Sequence, residues 1–270
     1  MSVDAAPGVP VRELHAVIVV PCFNEATRLA PDALLGLLDA RGVELLLVDD
    51  GSTDDTRARL HDVAAQAPGR VSVLALDDNA GKGEAVRRGL EAALLDGALC
   101  VGYFDADLST PPSEMLRVLH VLEERADIDV VLGSRVRLLG RHIERRALRH
   151  YLGRVFATAA SLALGVAVYD TQCGAKAFRR TPALLAAVRA PFSSRWAFDI
   201  ELLRRLLDGD DATPGLPPNA FVELPLKEWR DVGGTKLGPV AMVRAGAAVA
   251  LLALKGTARG TRRAREDRRS

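Results

Sequence analysis

Five times between Ala16 and Leu132, a short apolar run ends in a polar loop that opens a stretch able to form a helix. The runs cover 16–20, 43–48, 71–76, 98–104 and 128–132, and each is apolar and short enough for a buried strand. Regular alternation of strand and helix predicts an α/β fold with a mostly parallel central sheet and right-handed crossovers. In such a sheet the carboxyl ends of the strands form one rim, which is where ligands bind. Four loops fall on that rim: Pro21 to Glu25, Asp49 to Asp54, Asn79 to Gly83, and the stretch from Asp105 to Pro112. Glu25, Asp50, Lys82 and Asp105 are therefore expected to face one another, a coincidence that turn chemistry alone produces poorly.

Asp105 and Asp107 lie one residue apart just past a strand, ahead of a helix started by Pro111 and Pro112. Two hard oxygen donors so placed suit Mg²⁺ or Mn²⁺ holding a diphosphate. The competing explanation is that Asp favours turns and helix caps. The first loop lacks G-x-G-x-x-G, and Gly81-Lys82-Gly83 lacks the leading Gly and trailing hydroxyl of a P-loop, so neither common nucleotide motif is present. Gly81, Lys82 and Gly83 can still bring amides and an ammonium to a phosphate, or they simply make a flexible helix start. Farther on, Asp199 and Glu201 lie close in sequence at a helix start and read as a carboxylate pair, with one a candidate base or hydroxyl ligand. Glu223 to Leu226 reads as an edge strand, and the loop after Trp229 presents Lys236.

The net charge of +1 gives no reason to expect nucleic acid. Charge is clustered, however: Arg135, Arg137, Arg141, His142, Arg145, Arg146, Arg149 and Arg154 precede an apolar stretch from Val155. That order suits an anionic head group whose tail lies in a membrane, or else a solvated helix face followed by a core helix. Cys22, Cys100 and Cys173 form no C-x-x-C pair and read as reduced cytoplasmic thiols. Residues 1–12 read as a loose leader without a signal peptide, 238–254 as an apolar interfacial helix, and 255–270 as a basic disordered tail.

The segments VVPCFNE, VDDGSTD, NAGKG, FDAD, LGSR, DTQCGAK and RWAFDIELL occur in that order between Val17 and Leu237. Together they resemble the A-type, inverting glycosyltransferases of family 2, most nearly the dolichyl-phosphate β-glucosyltransferases, with the dolichol-phosphate mannosyltransferases as kin. The resemblance implies one catalytic domain over 13–237, its nucleotide half ending near 135 and its acceptor half filling 136–237. It implies a nucleotide-sugar site of Pro21, Asn24, Glu25, Asp49, Asp50, Gly51, Ser52, Lys82, Gly83 and Asp105, with Asp50 at the base. Asp105 and Asp107 would hold Mg²⁺ or Mn²⁺; Arg135, Arg145 and Lys236 would grip the lipid phosphate, Lys236 from a closing loop; Asp199 would face the sugar. Asp107, Asp199 and Arg135 are the catalytic set so implied. The donor would be UDP-glucose or GDP-mannose and the acceptor a polyprenyl phosphate, at the cytoplasmic membrane face with peripheral contact. A soluble acceptor and a non-catalytic sugar-nucleotide-binding module are the alternatives, and Asp105, Asp107, Arg135 and Asp199 speak against the second.

Three positions depart from the pattern. Ser109 stands where the mannosyl enzymes carry a metal-binding Gln, Gly174-Ala175-Lys176-Ala177 replaces the usual G-F-K-L, and the membrane anchor of the eukaryotic glucosyl enzymes is not seen.

Overall fold

A computed structural model describes residues 15–143, 157–195 and 197–232. The centre is a seven-stranded sheet in the order β3-β2-β1-β4-β7-β5-β8. Its strands are β1 (Ala16–Cys22), β2 (Val43–Asp49), β3 (Val71–Ala75), β4 (Cys100–Phe104), β5 (Val130–Ser134), β7 (Ala175–Arg179) and β8 (Phe221–Pro225). A two-residue β6 (His142–Ile143) pairs in parallel with β9 (Glu228–Trp229) as a separate small ladder.

β1 is apolar without interruption because both of its faces are covered. Successive side chains point to opposite faces. Val17 and Val19 accordingly join one core, with α3 (Lys82–Leu95), α5 (described over 157–164), α6 (Pro182–Arg189) and α7 (Phe198–Asp208). Ile18 and Val20 join the other, with α1 (Pro31–Leu35), α2 (Thr56–Gln66) and α4 (Pro112–Glu124). The result is a three-layer α/β/α arrangement. After β3 the chain crosses to the other side of β1 and adds β4 there. The crevice at the carboxyl ends of β1 and β4 is thus the switch point of the sheet, and it holds the 21–25 and 105–107 loops.

α1 ends at Leu35 and tightens into a 3-10 turn over Gly36–Asp39, where glycine weakens α-helix. α2 begins at Thr56, whose amide is taken by the Asp54 carboxylate. The sheet is mostly parallel as expected, with β7 alone antiparallel, between β4 and β5. Five residues in a strand carry no sign of direction, so only the connection through 135–174 could set it. Among the described residues no helix is long and apolar enough to cross a membrane.

Candidate active site

The first three rim loops are stitched together by side chains at their bases. Asn24 takes a left-handed backbone, φ 52°, and its Oδ1 accepts from the Thr53 amide at 2.9 Å while its own amide donates to Ser52 Oγ. The Glu25 amide donates to Thr56 Oγ1 at 2.8 Å. Glu25 Oε1 takes Arg28, whereas Oε2 is buried with no partner among the described residues. Asp50 accepts from the Ala80 and Gly81 amides, each at 2.9 Å, and from Asn79 Nδ2 at 3.1 Å. Burial pushes its carboxyl above the usual range, although those two amides pull it down. Gly51 has φ 63°, and a Cβ there would stand 2.5 Å from the Asp78 carbonyl carbon, so the second and third loops close only over glycine.

Asp49, expected at the nucleotide, lies fully buried and gives its carboxylate to Arg57 at 2.7 Å and to the Ser52 amide. A charge so deep needs a partner, and Arg57 supplies it from α2. Asp49 and Asp50 therefore shape the rim from beneath. Gly83 packs its Cα under the Phe198 ring, where a Cβ would stand 2.8 Å from Phe198 Cβ.

Asp105 and Asp107 sit on the floor of the crevice. Asp107 Oδ1 accepts from the Ser109 amide at 2.9 Å, which leaves Oδ2 for a ligand. Asp105 meets Lys82 Nζ at 2.6 Å across the crevice. Burial raises the Asp105 carboxyl, but Lys82, with help from Lys176 and Arg135, outweighs it and holds the group below its ordinary value. Lys82 lies at the start of α3, whose amino terminus also favours an anion. No group of three or more His, Cys, Asp or Glu among the described residues could hold a metal ion. The donor set fits a hard divalent cation only as two carboxylates, with the remaining positions left to water and a bound diphosphate.

A second, deeper cluster lies behind Asp105. Lys176 on β7 is 1 % exposed and donates to Asp199 Oδ1 and to Tyr103 Oη, both at 2.7 Å, and to the Cys173 carbonyl. Tyr103 Oη also donates to Asp199, and Gln172 Nε2 reaches Asp199 Oδ2 at 3.2 Å. Asp199, expected to face the sugar, is thus the counter-ion of a buried lysine. The expected pairing of Asp199 with Glu201 does not form. Two residues along a helix point to opposite sides, and Glu201 holds Ser193 and Arg205 on its own side.

Just past β5, Arg135 makes a two-toothed bond to Asp170, Nε at 2.7 Å and Nη2 at 2.8 Å, and lies 5.4 Å over the Trp229 ring. Glu223 fixes the other partner by accepting from the Tyr169 and Asp170 amides at 2.8 and 2.9 Å. Arg135, expected at a lipid phosphate, is thus held by a carboxylate in this state. Arg145 and Lys236 fall outside the described residues.

A family model described as glycosyl transferase family 2 matches residues 17–184. The chain belongs to that family. It is a glycosyltransferase with the GT-A fold. Dolichyl-phosphate beta-glucosyltransferase of Drosophila melanogaster is 33 % identical over 256 residues, covering 84 % of this chain and 70 % of that one. Polyprenol monophosphomannose synthase of Mycolicibacterium smegmatis is 29 % identical over 205 residues, covering 75 % and 76 %. Glucosyl-3-phosphoglycerate synthase of Mycobacterium tuberculosis, solved with Mn²⁺, UDP and glucosyl-3-phosphoglycerate, superimposes with a TM-score of 0.63 at 24 % identity over 93 % of this chain and 86 % of that one.

In this glycosyltransferase, sequence reasoning passed over Lys176, Tyr103, Gln172 and Gly174 as site residues. Lys176 carried a signal: it is the one charge inside Ala175-Lys176-Ala177-Phe178, and a lone charge in a buried strand demands a buried partner. Gly174 is explained by Asp105, since a Cβ there would stand 2.2 Å from the Asp105 carboxyl carbon. Gly174→Ala is therefore expected to cost about 1–3 kcal/mol by overpacking and, if the crevice takes a metal-bound diphosphate, to weaken that binding at least about tenfold, since the displaced Asp105 loses a charge-assisted contact. Urea unfolding and calorimetry would check this, and undiminished binding would show that Asp105 can turn aside without loss.

Proposed function

We propose that this protein moves glucose from UDP-glucose to a polyprenyl phosphate with inversion at the anomeric carbon, using Mg²⁺ or Mn²⁺, at the cytoplasmic face of a membrane. The observation that carries the reading is the crevice at the switch point of the sheet, where Asp105 and Asp107 face Lys82 and the amino terminus of α3. That combination suits a nucleoside diphosphate held through a cation. The bound cation supplies charge neutralisation for the departing diphosphate. Lys82 adds to this from the opposite wall.

A phosphate acceptor is already an anion, so one of its oxygens can form the new bond to the anomeric carbon as the bond to UDP breaks. No base has to remove a proton, which agrees with Asp199 being committed to Lys176. Arg135 supplies an oriented positive charge at the flank. Ser134 Oγ and Thr171 Oγ1, next to Arg135 and Asp170 in the chain, are buried with no partner among the described residues. Exposed Leu138 and Leu139, three and four residues past Arg135 in the chain, support a lipid-facing side there.

The relative from Mycolicibacterium favours a second reading with GDP-mannose as donor; Ser109, standing in place of the mannosyl enzymes' Gln, weighs against it. Calorimetry with UDP-glucose, GDP-mannose and UDP, with Mn²⁺ and again with EDTA, separates them. Mn²⁺-dependent binding of UDP and UDP-glucose is expected, followed by turnover on polyprenyl phosphate. Preference for GDP-mannose would select the second reading, and no nucleotide binding would overturn both.

A further inference from the structure

Lys82 occupies the place where the proposed function needs a cation. Its Nζ lies 2.6 Å from Asp105 Oδ1, and both side chains are partly open to solvent, at 34 % and 27 %. Asp105 is also under the positive field of Lys176 and Arg135. Asp107 has one oxygen engaged by the Ser109 amide. A divalent ion approaching alone would meet a carboxylate already neutralised, and an ammonium a few ångströms away repels it.

Lys82 is also able to leave. It is the first residue of α3, its stem is four carbons long, and no other carboxylate contact to its Nζ occurs among the described residues. A diphosphate at the start of α3 gives the ammonium an alternative anion. We infer that Lys82 is the stand-in for the divalent cation in the free enzyme, so that cation and nucleoside diphosphate are taken up together and neither binds tightly first. The diphosphate draws Lys82 off Asp105 and opens Oδ1 to the cation. By linkage, each tightens the other by the same factor. The inference rests on the reading of the crevice as a metal-diphosphate site.

The test is Mn²⁺ titration followed by electron paramagnetic resonance, with and without UDP, on the wild type, Lys82→Met, Lys82→Arg and the double variant Lys82→Met/Asp105→Asn. Wild type is expected to bind Mn²⁺ weakly alone and at least about tenfold more tightly with UDP, a coupling of ordinary size between two sites. Lys82→Met is expected to bind Mn²⁺ alone about ten- to a hundredfold more tightly than wild type, the worth of one charge-assisted contact, and to gain less from UDP. Lys82→Arg keeps the charge and should behave as wild type, while the double variant should lose the gain and so locate it at Asp105. Circular dichroism melts confirm folding. A Lys82→Met protein that binds Mn²⁺ no more tightly than wild type, or not at all, overturns the stand-in role. UDP that fails to bind wild type in calorimetry overturns the donor reading, and the Lys82→Met titration without nucleotide still tests Lys82 by itself.

Discussion

Replacing Asp105 by Asn is expected to lower kcat/KM by about a thousandfold, the scale on which a group stabilising charge in the transition state acts, and to abolish Mn²⁺-dependent UDP binding. Asn keeps the shape of the side chain, so it still fits against Gly174 and under Lys82. What it loses is the negative charge that a cation requires. Melting temperature should therefore stay close to that of wild type while steady-state turnover collapses. Activity within about tenfold of wild type, far short of that scale, would remove Asp105 from the mechanism and, with it, the metal-diphosphate account of the crevice.

Lys176→Met has the opposite signature. Removing the ammonium leaves Asp199 buried with Tyr103 and Gln172 as partners and no compensating charge. Breaking one side of a buried pair costs about 3–5 kcal/mol, whereas replacing both sides by apolar groups is often near neutral. Urea unfolding should show a loss of that size for Lys176→Met, and most of it should return in Lys176→Met/Asp199→Leu. A single variant within about 1 kcal/mol of wild type would mean that Asp199 finds solvent or another partner. Activity of the restored double variant then reports on the pair: full turnover confines Lys176 and Asp199 to holding the structure, and loss gives the pair a role in the reaction.

The layers and the rim were legible because they follow from period and chain direction. Val17, Ile18, Val19 and Val20 alternate between two cores, and parallel strands must bring Glu25, Asp50, Lys82 and Asp105 to the same ends. Partners across strands were not legible. Tyr103 and Lys176 are direct neighbours only because β7 runs antiparallel to β4, and nothing in five residues announces that direction. The same gap hid the commitment of Asp49 to Arg57 and of Arg135 to Asp170, since a carboxylate near a predicted site reads alike whether it faces a ligand or an arginine. The cysteines, by contrast, behave as composition suggested: Cys22, Cys100 and Cys173 are free and buried.

The Arg135–Asp170 bond also acts as a clasp. It joins the two ends of the segment between β5 and β7, and Glu223 pins the second end by its backbone. A segment whose ends are fixed can change in length or composition for little more than the entropy of closing a loop, about 0.6 kcal/mol for each doubling. The crevice on β1, β4 and α3 lies outside that segment. One sheet can therefore keep its rim loops constant while the enclosed segment is exchanged, a cheap route to variation within the fold.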